Sequence, residues 1–269
     1  MKLLIPLILS LGVACRCAAF DFDAPNDIAA VSARASGDYV RPRLPSGAFG
    51  PEYYAFGEGG AWKGVKPDAS IDPLNFLDVA HALAAPLERQ NYLPSRDPGA
   101  TRLLIMVYWG TTHSPQESGL GIQLVEWAQT GRLDLAFAGD QLVEKADRLN
   151  AMMLGYDSWW SATQGDRRGT SVGRDREDLR GEIEENRYFV VLMAYDFQLL
   201  WKQRKHKLLW ETRFSIRQRH HDFDRDLPSI ARYASRYFGQ DTHGLIHDQV
   251  PLGRVDIGDV RSLGAVPGK

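Results

Sequence analysis

The stretch HHDFDRD, His220 to Asp226, sets two histidines and three aspartates within seven residues, and THGLIHD, shortly after it, adds His243, His247 and Asp248. Imidazoles and carboxylates crowded in this way are the ligands of a divalent ion that activates water. Were His220, His221 and Asp222 to meet His243, His247 and Asp248 in space, the chain would be a metal-assisted hydrolase. The spacing also fits a second purpose. A helix starting near Leu227 leaves its first amides without partners, and Asp224 or Asp226 can accept from them, with Pro228 tolerated because an early helical position needs no donor. His220 and His221 end a strand, where neighbours point to opposite faces and do not readily share one ion. His243 and His247 would align only on a helix, which Gly244 and Val250-Pro251 disfavour. The leading reading is that these groups serve folding and hydration, with the metal site as the rival.

Other chemistry is weaker. FGEGGAWKG lacks the Lys-Ser or Lys-Thr ending of a phosphate loop and the glycine spacing of a dinucleotide fingerprint, and no cofactor is expected. No serine stands in a nucleophile elbow, and no His-Glu pair has zinc-protease spacing. Tyr53, Tyr54, Trp62, Trp159 and Trp160 could stack on sugar rings, but aromatic residues serve packing far more often. WKQRKHK carries Lys202, Arg204, Lys205 and Lys207, a basic turn able to meet anionic lipid headgroups, acidic polymers or an acidic partner. The same residues would also keep a turn soluble and an outer strand unpaired.

Residues 1–19, MKLLIPLILSLGVACRCAA, have the layout of an export signal: Lys2, an apolar run to Ala14, and small residues before a cut after Ala19. Cys15 follows LGVA, an imperfect lipoprotein box, and is the candidate for lipidation. Cys15 and Cys17 are the only two cysteines, so a chain starting at Phe20 can form no disulfide, thiolate zinc site or cysteine nucleophile. Cleavage removes two of 32 basic residues, Lys2 and Arg16, and none of the 34 acidic ones, for a formal net charge of −4. That balance argues against nucleic acid as a partner. YFVVLMAYDFQLLW is too short and too polar at Asp196 for a membrane span, and no transmembrane segment is expected.

The elements that must position these groups lie between two irregular ends. Residues 20–50 read as a linker or extended arm and 241–269 as a tail, leaving 51–240 as a single domain. Within it, EYYAFGE is a strand, DPLNFLDVAHALAAPLERQ a helix with Phe76, Val79, Ala80, Leu83 and Leu87 at helical spacing, and TRLLIMVYWG a strand covered on both faces. ESGLGIQLVEWAQ and DQLVEKADRLNAMML read as helices, the second with a stripe of Leu142, Val143, Ala146, Leu149 and Met153. REDLRGEIEE is a short acidic helix. RYFVVLMAYDFQLLW and KLLWETRFSIRQR then form a hairpin about the basic turn, and LPSIARYASRYFG closes the domain as a helix stopping at Gly239. The expected architecture is α+β: a mixed sheet of about four strands, a strand-helix-strand unit followed by an antiparallel hairpin, packed with helices.

The leader, the helix feeding RLLIMVYWG, and KLLWETRFSIR followed by LPSIARYASRYFG together resemble bacterial envelope proteins and lipoproteins with domains of unknown function, over residues 51–240. The resemblance implies a compact α+β domain in the periplasm, at the cell surface or secreted, and implies no catalytic residues. The expected function is that of a non-enzymatic binding or assembly domain of the envelope, its partners being envelope components.

Overall fold

The computed structural model describes residues 26–64, 66–114, 133–156 and 173–251. Along the chain these form β1 (Asn26–Ala35), β2 (Glu52–Trp62), α1 (Phe76–Glu88), β3 (Tyr92–Pro94), β4 (Leu103–Thr111), α2 (Leu133–Leu154), α3 (Gly173–Glu184), β5 (Arg187–Asp196), α4 (Phe197–Gln203), β6 (Leu208–Arg217), α5 (Phe223–Ala234), a 3₁₀ turn (Ser235–Tyr237) and β7 (Leu245–Pro251). One sheet takes all seven strands in the order β3-β2-β4-β5-β6-β1-β7. β2 runs parallel to β3 and β4, and every other neighbour is antiparallel.

Side-chain alternation splits the core into two layers. Ile105, Val107 and Trp109 of β4, Tyr188, Val190 and Leu192 of β5, and Trp210, Phe214 and Ile216 of β6 lie in one layer with Val79, Leu83 and Leu87 of α1 and Leu227, Ile230 and Ala234 of α5. Phe189 and Val191 of β5 and Ala30 of β1 point the other way, against Ala151 and Leu154 of α2 and Ile183 of α3. A strand covered on both faces has no polar side, which is why β4 and β5 read as unbroken apolar runs. α1 begins with a reciprocal cap: Asn75 Oδ1 accepts from the amides of Leu77 (2.8 Å) and Asp78 (3.3 Å), and Asp78 Oδ2 accepts from the Asn75 amide at 2.9 Å.

Seven strands replace the expected four. The three additional ones fall where periodicity is weakest. β1 lies in the stretch read as an arm; Ala29, Ala30, Val31 and Ala33 are buried on alternating faces, and alanine is a poor strand signal. β7 lies in the stretch read as a tail, and β3 is only three residues long. β2 also runs through FGEGGAW, which reads as a loop. Two of its glycines are there for packing, since a Cβ at Gly57 would strike Met106 and one at Gly59 the ring of Tyr108, on the neighbouring strand, while Gly60 takes a positive φ at the register shift. Between β5 and β6 stands a short helix, α4, in place of the long hairpin strands. α5 starts at Phe223, four residues ahead of Leu227, so Pro228 falls inside it. Among the described side chains of α2, Asp147, Asn150, Ala151 and Leu154 are buried while Leu142 and Leu149 are exposed: the helix is turned relative to the apolar stripe. The helical stretch expected around ESGLGIQLVEWAQ lies outside the described residues.

Candidate functional site

The two histidine-aspartate clusters lead to different places. After β6 the chain turns through His220, which is exposed and held at φ 70°, and delivers His221 to the start of α5. There His221 Nδ1 meets Asp226 Oδ2 at 2.9 Å, and both side chains are almost completely buried. Asp226 also accepts from the Asp222 amide (3.3 Å) and from Arg225 Nε (3.1 Å). It thus ties the start of α5 back to Asp222, whereas the bond to a first-turn amide expected of Asp224 or Asp226 is made by Asp224, from Arg225 at 2.8 Å; Asp222 is the residue at the cap and its own side chain makes no capping bond. Asp222 instead pairs with Arg225 at 2.8 Å on the surface.

A carboxylate on Nδ1 is the orienting bond of a general-base histidine. The hydroxyl that reaches this corner is committed elsewhere. Ser70 Oγ accepts from the Phe223 amide at 3.0 Å and donates to Asp68 Oδ1 at 2.7 Å. Asp68 Oδ2 in turn accepts from Tyr188 and from Gln218 Nε2, the latter at 2.8 Å. Burial pushes the Asp68 carboxyl up, but these donors outweigh it and hold it below its usual value; burial pushes Tyr188 up to about 12. The cluster fastens the 66–74 connection to the start of β5, the end of β6 and the start of α5.

His247, in β7, faces the opposite layer. Its Nε2 lies 3.1 Å from Glu182 Oε2 of α3, which also accepts from the Tyr156 hydroxyl at 2.5 Å and stands 3.6 Å from Arg187. Arg187 is buried at the start of β5, and its Nε donates to Ser215 Oγ at 3.2 Å. Burial alone would raise the Glu182 carboxyl, but His247, Arg187 and Tyr156 hold it below the usual glutamate value. His243 is exposed and sits 3.3 Å from Asp241, and Asp248 accepts from the Gln249 amide at 2.9 Å. The structure therefore brings His221 to Asp226 and His247 to Glu182, in different layers. Among the described residues no three histidine, cysteine, aspartate or glutamate side chains gather at metal-holding distance.

Two polar features escape sequence reading. No spacing rule joins Tyr156, Glu182, Arg187 and His247, since three separate elements and the loop after α2 carry them. Asp147 and Asn150 did leave a signal: they share helical spacing with Ala151 and Leu154, placing polar groups on the buried face. Asn150 accepts from the His113 amide at 3.2 Å and donates to the carbonyls of His113 (2.8 Å) and Ile183 (3.0 Å). Asp147 has no such partners for Oδ1, and burial, with Glu184 nearby, pushes its carboxyl up to about 6.

The basic residues gather on the opposite end of the sheet. Asp196 caps α4 by accepting from the Leu199 amide at 2.9 Å, and Arg204 ends it in the left-handed conformation, with its amide bonded to Leu200. No residue of α4 is buried. Trp201, half exposed, stacks beside Phe197 with ring centroids 6.1 Å apart. Lys202, Arg204 and Lys205 are exposed and have no carboxylate partner among the described residues, while Lys207 is bonded to Asp38 and so belongs to the fold. Of the aromatic residues that could stack on sugars, Tyr54 is buried and Tyr53 and Trp62 are partly exposed on β2; Trp159 and Trp160 lie outside the described residues, as does Cys15. No helix among the described residues is long and apolar enough to cross a membrane.

Neither a protein-family model nor a curated protein matches this chain.

Proposed function

We propose that this chain is an exported bacterial envelope protein that acts by binding, docking onto anionic lipid surfaces through the tip formed by α4 and the turn after it. The observation that carries the reading is the half-exposed Trp201 set among the uncompensated Lys202, Arg204 and Lys205 on a helix that buries none of its residues. An indole beside cationic side chains suits the boundary between headgroups and acyl chains, where a soluble polyanion would make no use of the ring. The supporting circumstance is that the histidine-aspartate pairs, the rival signal, are engaged in joining elements.

Each basic residue near an anionic leaflet contributes about 1 kcal/mol, so three supply roughly 3 kcal/mol. That gives reversible docking. Lasting attachment takes two signals; an acyl chain on Cys15 would be the second, whereas a chain cut after Ala19 would come and go with ionic strength.

Co-sedimentation with vesicles of phosphatidylglycerol and of phosphatidylcholine tests this. Binding to the anionic vesicles alone, weakened at high salt, reduced about thirtyfold or more by the pair Lys202→Glu, Lys205→Glu and reduced also by Trp201→Ser, is the expected result. Equal affinity for soluble polyglutamate, indifferent to Trp201→Ser, would replace lipid by an acidic polymer. Failure to bind either, or turnover of envelope polymers or model esters at enzymatic rates, would end the reading.

A further inference from the structure

A cleft of about 330 Å³ opens between the end of α1, the outer side of α5 with its 3₁₀ turn, and β7. Its size is at the small end of ligand pockets and suits a body no larger than a monosaccharide. Three guanidiniums stand on its walls, those of Arg89, Arg232 and Arg236, with Asp248 the sole acid among the lining residues. None of the three is ion-paired among the described residues. A lone arginine in the last turn of a helix is explained by the negative end of that helix, and Arg232 fits this description. Arg89 caps the C-terminus of α1 and Arg236 lies in the 3₁₀ turn that follows α5, so a helix end accounts for each arginine singly, while their gathering at one cleft is what favours an anion. A second, independent observation points the same way. Tyr233 lines the cleft and is 6 % exposed, and its hydroxyl, with Tyr237 and Asp248 as its polar neighbours, completes no hydrogen bond of normal geometry.

Guanidinium forks match phosphate oxygens in pairs, and three of them around one opening select a dianion over a single carboxylate. Asp248 limits what the rest of the ligand can be: it repels a second anionic group and accepts from hydroxyls. We propose that this cleft binds a polyol monophosphate, with the phosphate held by Arg89, Arg232 and Arg236 and the hydroxyls met by Asp248, Ser229 and Tyr233. This assignment is independent of lipid docking through α4, which lies on other residues.

Calorimetric titration of the full chain with glucose 6-phosphate, glycerol 3-phosphate, inorganic phosphate and glucose distinguishes the possibilities. Saturable binding of either polyol phosphate, at least tenfold tighter than inorganic phosphate or glucose and reduced at least tenfold by Arg232→Glu, supports the site. Arg232 is exposed, so the charge reversal at the end of α5 should lower the thermal melt only slightly; should that variant fail to fold, Arg89→Gln carries the same test. Asp248→Asn should weaken the polyol phosphates while leaving inorganic phosphate as it was. Equal affinity for inorganic phosphate, binding that ignores both arginine substitutions, or no saturable binding of any probe would overturn the proposal.

Discussion

Glu182 and His247 meet at 3.1 Å across the layer that separates α3 from β7, the outermost strand on that side of the sheet. The same carboxylate serves Tyr156 and faces the buried Arg187, so three elements depend on one side chain. Removing its charge takes a carboxylate away from the buried Arg187 and from His247, a loss of about 2–4 kcal/mol for Glu182→Gln at pH 7. Because the folded state depresses this carboxyl below the usual glutamate value, its contribution is present above the unfolded pKa and disappears as pH falls through the folded one. Urea unfolding of the two proteins should show a gap at pH 7 that closes toward pH 3. A gap of equal size at both would show that the charge of Glu182 contributes nothing.

Asp147 works in the opposite sense. Its carboxyl, pushed up to about 6 chiefly by burial, holds its proton more tightly in the folded protein than in the unfolded one. The fold therefore loses stability as pH rises from about 4 to beyond 6. Asp147→Asn cannot ionise, and it should be more stable than the parent by about 1–3 kcal/mol at pH 8, with the advantage vanishing near pH 4. Thermal melts at the two pH values check this, and an asparagine variant less stable at pH 8 contradicts it.

Adjacent residues His220 and His221 should respond to alanine very differently. His221→Ala removes the buried one of the partners of Asp226 and leaves a void at the start of α5, and should cost about 2–3 kcal/mol. His220 is exposed, and its replacement should stay within about 0.5 kcal/mol. Chemical denaturation of both variants measures the contrast; equal losses would mean that the pair with Asp226 does not hold the helix.

The elements most readable from the sequence were those whose side chains have one physical task. Ile105, Val107 and Trp109 alternate with partly covered neighbours in an apolar run, and Leu227, Ile230, Ala234 and Phe238 follow the period of a helix with one dry side. β1 escaped because small alanines fill both layers there, so neither alternation nor bulk marks a strand. The turned face of α2 escaped because Asp147 and Asn150 occupy positions that hydropathy assigns to leucine. Asn150 is there to satisfy the backbone at His113 and Ile183, a requirement set by chain segments far from it in sequence. The polar cluster at His220–Asp226 was visible as composition and holds its own pair, His221 with Asp226, whereas the partner of His247, Glu182, lies 65 positions away and is a matter of tertiary arrangement.

β1 lies between β6 and β7, and Thr242 bonds to the carbonyl of Ala33, 209 positions earlier. The first described strand therefore has no neighbour to pair with until nearly the last one has been synthesised. A chain threaded through a translocon from its N-terminus would carry that unpaired segment across in extended form, and the sheet would close only on the far side. The strand order delays completion of the fold, and such a delay suits passage through a narrow channel.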